Sequence, residues 1–350
     1  MEIGSYFLIE ETQNETNDTF SFYLERVAKN KIYFDSGRSA IRFLCRKVEI
    51  KSVLLPDFLC DSMLQPFIEE NFKIAFYEVD DNLEPVIESI KFNEPPGVFI
   101  HMDYFGKKCT ENLLNTIVTL KNKGTIIIED ITHSIFSKKR QRIESDYYIC
   151  SIRKWLGIPD GGILLSNQEM DFNEKSNNLE LIENYVEASK IKKDKLFRET
   201  SSDSYLDFFK KAEKALDRSV ETYRMSILSE NILHTFNFEK MIKTRHENSK
   251  YLAKKISELG LKTLDFNFDS TIPIFVPVFF TNAQKRDFYK SHLINSKIYT
   301  PIHWPKPNFA GIKNNMYDIV LSIPCDHRYS INDMERIILE LRKIMVIMND

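Results

Sequence analysis

Lys154 sits in Ser151-Ile-Arg-Lys154-Trp-Leu, directly after the apolar run Tyr147–Cys150 and shortly before Gly161-Gly162 and the run Ile163–Leu165. Upstream, the run Thr125–Glu129 closes on Asp130, with His133 three positions further on. A lysine amine forms a Schiff base with an aldehyde, and a carboxylate holds the positive charge of a protonated pyridine ring. At about 4 Å and an effective dielectric of 20 that attraction is about 4 kcal/mol, or roughly three pKa units. A pyridoxal phosphate (PLP) site needs both groups. Most lysines are solvated, so the case for Lys154 rests on its place after a buried strand. Asp130 alone reads equally well as a helix cap, and His133 alone as a structural histidine.

A third segment, Asp35-Ser36-Gly37-Arg38-Ser39-Ala40, opens the apolar helix Ile41–Cys45. Free amides at a helix start, a glycine and two hydroxyls (Ser36 and Ser39) make a phosphate cradle, although Asp35 or Ser36 also suits a plain N-cap. Ser151 offers a further hydroxyl to a phosphate. Glycine is scarce, ten in 350 residues, and Gly37, Gly106, Gly157, Gly161 and Gly162 all fall in segments of this kind. Glycine is where backbone comes close to a ligand.

Other chemistries leave no trace. There is no GxSxG elbow, HExxH, Walker lysine loop or GxGxxG. The seven histidines show no metal spacing, and the five cysteines (Cys45, Cys60, Cys109, Cys150, Cys325) form no CxxC pair. No metal site is expected, and dispersed thiols suit a reducing compartment. The net charge of −3 gives no case for nucleic acid or acidic membranes, and Lys138-Lys139-Arg140 reads as a solvated loop. The N-terminus lacks a signal peptide pattern and no apolar run approaches the ~18 residues of a membrane span. Asn14-Glu-Thr and Asn17-Asp-Thr match the glycosylation pattern, which has no meaning without secretion. A cytoplasmic protein is expected.

These residues need a scaffold that brings strand ends together. From about Lys31 to Asn167 short apolar runs alternate with amphipathic ones: strands at Val53–Leu55, Ile74–Val79, Val98–Met102, Thr125–Glu129, Tyr147–Cys150 and Ile163–Leu165, and helices at Asp61–Asn71 and Thr110–Lys123. Alternation implies crossover units and a mainly parallel sheet covered on both faces, an α/β fold. The chain then turns charged and strand-poor. Ala188–Arg218 reads as helix with a break near Ser201-Ser202, and Phe238–Leu259 as a helix leading to a smaller α+β domain. That domain has strands Ile274–Phe280 and Ile319–Ile323 and a closing helix Ile331–Met348, with Pro273 and Pro277 marking an edge or irregular strand. The expected division is an arm over 1–30, a large PLP-binding domain over 31–235 and a small domain over 236–350.

Together the segments resemble the DegT/DnrJ/StrS family of PLP-dependent sugar aminotransferases, a branch of the fold type I (aspartate aminotransferase-like) enzymes. The family's Ser-Gly-Thr-Ala loop is similar to Ser36-Gly37-Arg38-Ser39-Ala40, and its Pro-x-x-Thr-Phe segment to Pro56-Asp-Phe-Leu-Cys60. His-x-x-Tyr-Gly resembles His101-Met-Asp-Tyr-Phe-Gly106 with one residue extra, and Glu-Asp-Ala-Ala-Gln/His resembles Glu129-Asp-Ile-Thr-His133. Asn-Tyr-Arg-Met resembles Thr222-Tyr-Arg-Met225. The likeness runs from about Ile3 to Ile338 and is strong only at these islands.

The resemblance implies the three-layer α/β/α fold type I architecture, PLP as cofactor, and Lys154 as its Schiff-base lysine. It makes Asp130 the partner of the ring nitrogen, sets His133 near the phenolic oxygen, and puts Gly37, Arg38, Ser39 and Ser151 around the phosphate. Cys60 falls where a ring-stacking aromatic is expected, with Phe58 or Tyr104 as substitutes. Thr222 replaces an asparagine that in relatives reaches the neighbouring subunit's cofactor phosphate. Ser151 stands three rather than five positions before the lysine. The implied reaction moves an amino group from a donor, glutamate being usual, to a keto-sugar nucleotide or related carbonyl acceptor in polysaccharide or glycan assembly, in a homodimer. Tyr6, Tyr104, His303 and Trp304 are candidates for the substrate mouth. Another PLP reaction on the same fold, decarboxylation or retro-aldol cleavage, stays open, as does a non-catalytic binding protein.

Overall fold

A computed structural model describes residues 2–11, 18–107, 110–137, 145–174, 176–198 and 203–348. Cys109, the Lys138–Arg140 cluster, the Asn14 and Asn17 glycosylation patterns and the Ser201-Ser202 break lie outside the described residues. Strands β1 (Asn30–Phe34), β2 (Ser52–Pro56), β3 (Lys73–Tyr77), β4 (Val98–Met102), β5 (Ile126–Asp130), β6 (Tyr147–Ser151) and β7 (Gly162–Ser166) form one sheet. Their order is β1-β7-β6-β5-β4-β2-β3. β2 to β6 pair in parallel, and β7 runs antiparallel to both its neighbours, β1 and β6. Every residue of β4 and of β7 is buried, so both faces of the sheet are covered. That explains why these strands read as unbroken apolar runs rather than alternating ones.

Helices α1 (Thr19–Glu25), α2 (Gly37–Lys47), α3 (Asp61–Glu69) and α4 (Glu111–Asn122) belong to this half of the chain. α2 starts where Ser36 caps it, its hydroxyl accepting from Ser39 N at 3.2 Å. The helix buries Ala40, Ile41, Phe43 and Leu44. It also buries Arg42, which is tolerable because the guanidinium is held by Glu69 (2.6 Å) and by the carbonyls of Ser219 and Glu221. α5 (Leu179–Arg198) and α6 (Tyr205–Arg218) follow as a packed pair. They have a small core of their own, including Leu181, Tyr185, Phe209 and Leu216, separate from the main one.

After α7 (Ile227–Thr235) and α8 (Phe238–Glu258) comes the second sheet, β8 (Lys262–Thr263), β9 (Phe275–Phe279) and β10 (Val320–Pro324), in the order β10-β9-β8. α9 (Ala283–Asn295), α10 (Met316–Ile319) and α11 (Ile331–Met348) complete it. Pro277 lies on the middle strand, not on an edge. The two residues of β8 pair with Phe279 and Val278, and β8 meets Pro277 through the Thr263 hydroxyl, which donates to its carbonyl at 2.6 Å. The proline's missing N–H therefore breaks no ladder on that side. No helix among the described residues is long and apolar enough to cross a membrane.

Backbone meets backbone where β7 passes the start of α2. A Cβ on Gly162 would meet the Ser36 carbonyl carbon and oxygen at 2.1 Å and Gly37 N at 2.6 Å. Backbone cannot yield as a flexible side chain would. Gly162→Ala is expected to cost about 1–3 kcal/mol, read as a fall in the denaturant midpoint; an unchanged midpoint would show that the turn can move aside.

Candidate functional site

Three sheet-borne segments converge on one cavity of about 310 Å³. Asp130 comes from the end of β5, Ser151 and Lys154 from the end of β6 and the 3-10 turn Ile152–Lys154, and Ser36–Arg38 from the start of α2. Ligands of open α/β sheets bind at the carboxyl ends of parallel strands for this reason. Cys60, Tyr6 and Thr132 also line the cavity.

One short loop aligns the strand ends. Thr132 N donates to Asp130 Oδ1 at 2.8 Å, and the Thr132 hydroxyl accepts from Ser151 N at 2.9 Å. The Thr132 carbonyl accepts from Trp155 Nε1 at 2.6 Å. Trp155 is fully buried against Phe136, and its own carbonyl accepts from Arg245 Nη2 at 3.0 Å. Asp130 and the lysine segment are thus fixed relative to each other through one threonine.

Two cations line the cavity beside the α2 start. Arg38 donates to the Leu216 carbonyl (2.6 Å) and Asp217 (2.9 Å), and Arg153 to Glu213 (2.6 Å), all three partners being on α6. Both arginines keep a buried Nε with no partner. The first-turn amides of Gly37 and Arg38 have no intrahelical acceptor. Two guanidinium donors, two amides and Ser151 together make a dianion cradle.

The Lys154 amine has no hydrogen bond or ion pair to any described residue, and lies 5.8 Å from the centre of the Trp304 ring. Trp304 stacks on His133 at 5.8 Å, and His303 lies 6.0 Å from His133. His133 Nδ1 accepts from Phe105 N at 3.1 Å, while Nε2 is buried without a partner. Burial, then the Lys154 charge, then His303 hold His133 well below the usual histidine range. Burial and Lys154 push His303 down to about 3. Both rings are neutral, and the His133 proton resides on Nε2, leaving one unused donor.

The other candidates are placed differently. Ser39 is buried, with its hydroxyl bonded to Ser36. Tyr104 is buried against Phe58, whose carbonyl its hydroxyl engages. Phe58 packs in turn on Trp304 at 5.2 Å. Neither aromatic lines the cavity, and nor do Ser39, Thr222, His133, His303 or Trp304. Sequence reasoning missed Thr132, Arg153, Glu213 and Arg245. An Asp-x-Thr turn and an arginine beside a strand-end lysine were the available signals for two of them. Among the described residues no cluster of three or more His, Cys, Asp or Glu is placed to hold a metal ion.

No family model matches the chain, and no curated protein matches it in sequence. Solved structures do. A Streptococcus pneumoniae protein, Spr1654, described as a sugar aminotransferase and solved in its PLP form, superposes with a TM-score of 0.69 at 11% identity, over 97% of this chain and 93% of that one. A Brucella abortus DegT/DnrJ/EryC1/StrS aminotransferase gives 0.62 at 17%, over 96% and 91%. DesI, solved in the presence of its TDP-sugar product, gives 0.66 at 12%, over 100% and 97%. The fold is that of the PLP-dependent aminotransferases.

Neutral buried histidines carry a pH signature. Their folded pKa values lie below the unfolded value of about 6.5, so the unfolded chain binds more protons and stability falls as pH drops through that value. For the cofactor-free chain the His303 contribution to the slope below pH 6.5 should approach about 1.4 kcal/mol per pH unit, with His133 acting in the same direction. Denaturant titrations should show a shallower slope in His303→Gln, and equal slopes would refute the assignment.

Proposed function

We propose that this chain is a PLP-dependent aminotransferase, moving an amino group from an amino acid such as glutamate to a keto-sugar nucleotide or related carbonyl acceptor. The observation that carries the reading is a lysine amine without a partner among the described residues, on the wall of a cavity that also holds a strand-end carboxylate and a dianion cradle. The aminotransferase fold supports it. The likeness to DesI, a protein solved with a TDP-sugar product, supports the sugar acceptor.

The residues fit the cofactor. Arg38 Nε and Arg153 Nε are buried donors in want of an acceptor, and Gly37, Ser151 and the α2 amides stand beside them to take the phosphate. Asp130 spends Oδ1 on Thr132 N, leaving Oδ2 for the ring nitrogen. His133, stacked on Trp304 and outside the residues that line this cavity, has an unpartnered Nε2 that would suit the phenolic oxygen. The cavity volume, about 310 Å³, is at the small end for ligand sites.

PLP, when bound, supplies a sink for the electron pair left on a substrate carbon. Lys154 Nζ would hold the cofactor through its aldehyde group and, when free, would take the proton from the donor's α-carbon. Asp130 keeps the ring nitrogen protonated. Thr132 holds Asp130 and Ser151 in register, so the base and the carboxylate act on one ligand. Tyr6 and Phe7, near the N-terminus, also line the cavity.

We further propose a homodimer in the cytoplasm. Leu179, Val220 and Ile227 are 62%, 53% and 73% exposed, and the last two flank Thr222, which suits a face covered by a second copy. The four described cysteines are free thiols, which suits a reducing compartment.

The purified protein should be yellow or become so with PLP, and Lys154→Ala should lose the visible band. Glutamate should bleach it with one equivalent of 2-oxoglutarate released, and Asp130→Asn should slow that half-reaction by about a hundredfold or more. A wild type that stays colourless with PLP sinks the catalytic reading. A yellow protein that neither glutamate nor glutamine bleaches points to another PLP reaction. Light scattering should give twice the chain mass.

A further inference from the structure

Asp35, two positions before α2, is 0% exposed and does not line the cavity. Ser36 does line it, and its hydroxyl donates to Asp35 Oδ1 at 3.1 Å. Asn178 Nδ2 donates to Asp35 Oδ2 at 3.3 Å. Among the described residues no lysine or arginine forms an ion pair with this carboxyl. Backbone bonds hold it in place: Asp35 N donates to the Tyr223 carbonyl (3.0 Å), and the Asp35 carbonyl accepts from Gly161 N (2.7 Å).

A second buried carboxyl lies within its electrostatic reach. Asp160, also 0% exposed, is better supplied with donors: Ser226 N and the Ser226 hydroxyl, each at 2.7 Å, and the Ser229 hydroxyl. Burial lifts Asp35 above its usual value, against the Ser39, Asn178 and Ser36 bonds and the Arg153 charge. Burial lifts Asp160 too, and there the Asp35 charge adds to the effect. Arg153 is the cation common to both, and it is also a donor of the cradle. A dianion at the α2 start draws on that guanidinium and sets two further negative charges beside Asp35, which raises a buried carboxyl again. Asp217 and Glu213 are exposed enough to stay ionised in water, whereas Asp35 is walled in.

We propose that a dianion enters the cradle together with one proton from solvent, and that Asp35 receives the proton. Oδ1 then carries the hydrogen and donates to Ser36 Oγ, reversing the present bond. Ser36 Oγ still accepts from Ser39 N, at 3.2 Å, and its own hydrogen is released to serve the dianion. Asp35 is thus a positioning residue, acting through Ser36. The inference rests on this cavity being the phosphate site of the proposed function, and not on the chemistry of Lys154.

The test is calorimetric titration of the full chain with sulfate, a dianion that carries no proton near neutral pH, in buffers of different ionisation enthalpy. Wild type and Lys154→Ala should each take up about one proton per sulfate, and affinity should fall by up to about tenfold per pH unit as pH rises. Asp35→Asn should bind sulfate without proton uptake, at an affinity that pH leaves flat. In wild type the infrared carbonyl band of an un-ionised carboxyl should grow as sulfate is added, a readout that stands even if Asp35→Asn fails to fold. No sulfate binding, binding without uptake or without that band in wild type, uptake that survives in Asp35→Asn, or uptake lost in Lys154→Ala would overturn the proposal. A protein that binds sulfate with its proton yet stays colourless with PLP would fell the aminotransferase reading alone.

Discussion

The hydrogen bonds of Thr132 are the constraint on which the rest of the site depends. Two parallel strands end side by side, and parallel pairing fixes their register but not the path of the chain beyond it. Thr132 settles that path with its amide on Asp130, its hydroxyl on Ser151 N and its carbonyl on Trp155. A buried amide left without its acceptor costs about 1–3 kcal/mol, so the three bonds stand or fall nearly together. From Trp155 the chain of contacts runs on to Arg245 and so to the second sheet. Lys154 owes its position to this series, since no described residue bonds to its own amine.

Much of the architecture was legible because buried parallel strands are local apolar runs. β4 and α11 begin and end where the pattern puts them, at Val98–Met102 and Ile331–Met348. α3 stops two residues before the expected Asn71, which adopts a positive φ of 58°. β1 escaped notice, because five mixed residues become a strand only by pairing with β7 more than a hundred positions later. Pro277 misled for a similar reason: what makes it acceptable on a middle strand is the shortness of β8, which lies elsewhere in the chain.

At the site the limits are set by burial. Asp130, Ser151 and Lys154 could be singled out because their strands could be, and the structure brings them to one cavity. Arg245 could not, since in a helix rich in Lys, Arg and Glu nothing marks which cation is 1% exposed. Arg153 hid in the shadow of its neighbour. Phe58 and Tyr104 were reasonable stacking aromatics from their motif, yet they pack on Trp304, from a segment some two hundred residues distant, and none of the three lines the cavity. Contacts of that range have no local signature.

The bonds from α6 to the two cavity arginines make the resting site an ion exchanger. Arg38 and Arg153 are nearly buried, at 10% and 14% side-chain exposure, whereas their partners Asp217 and Glu213 are 63% and 50% exposed. An arriving dianion that takes the guanidinium groups therefore releases carboxylates that are already hydrated, with little desolvation to reverse. The cavity never holds two bare cations. Occupancy then depends on competition between mobile and tethered anions, and added salt weakens both rivals at once.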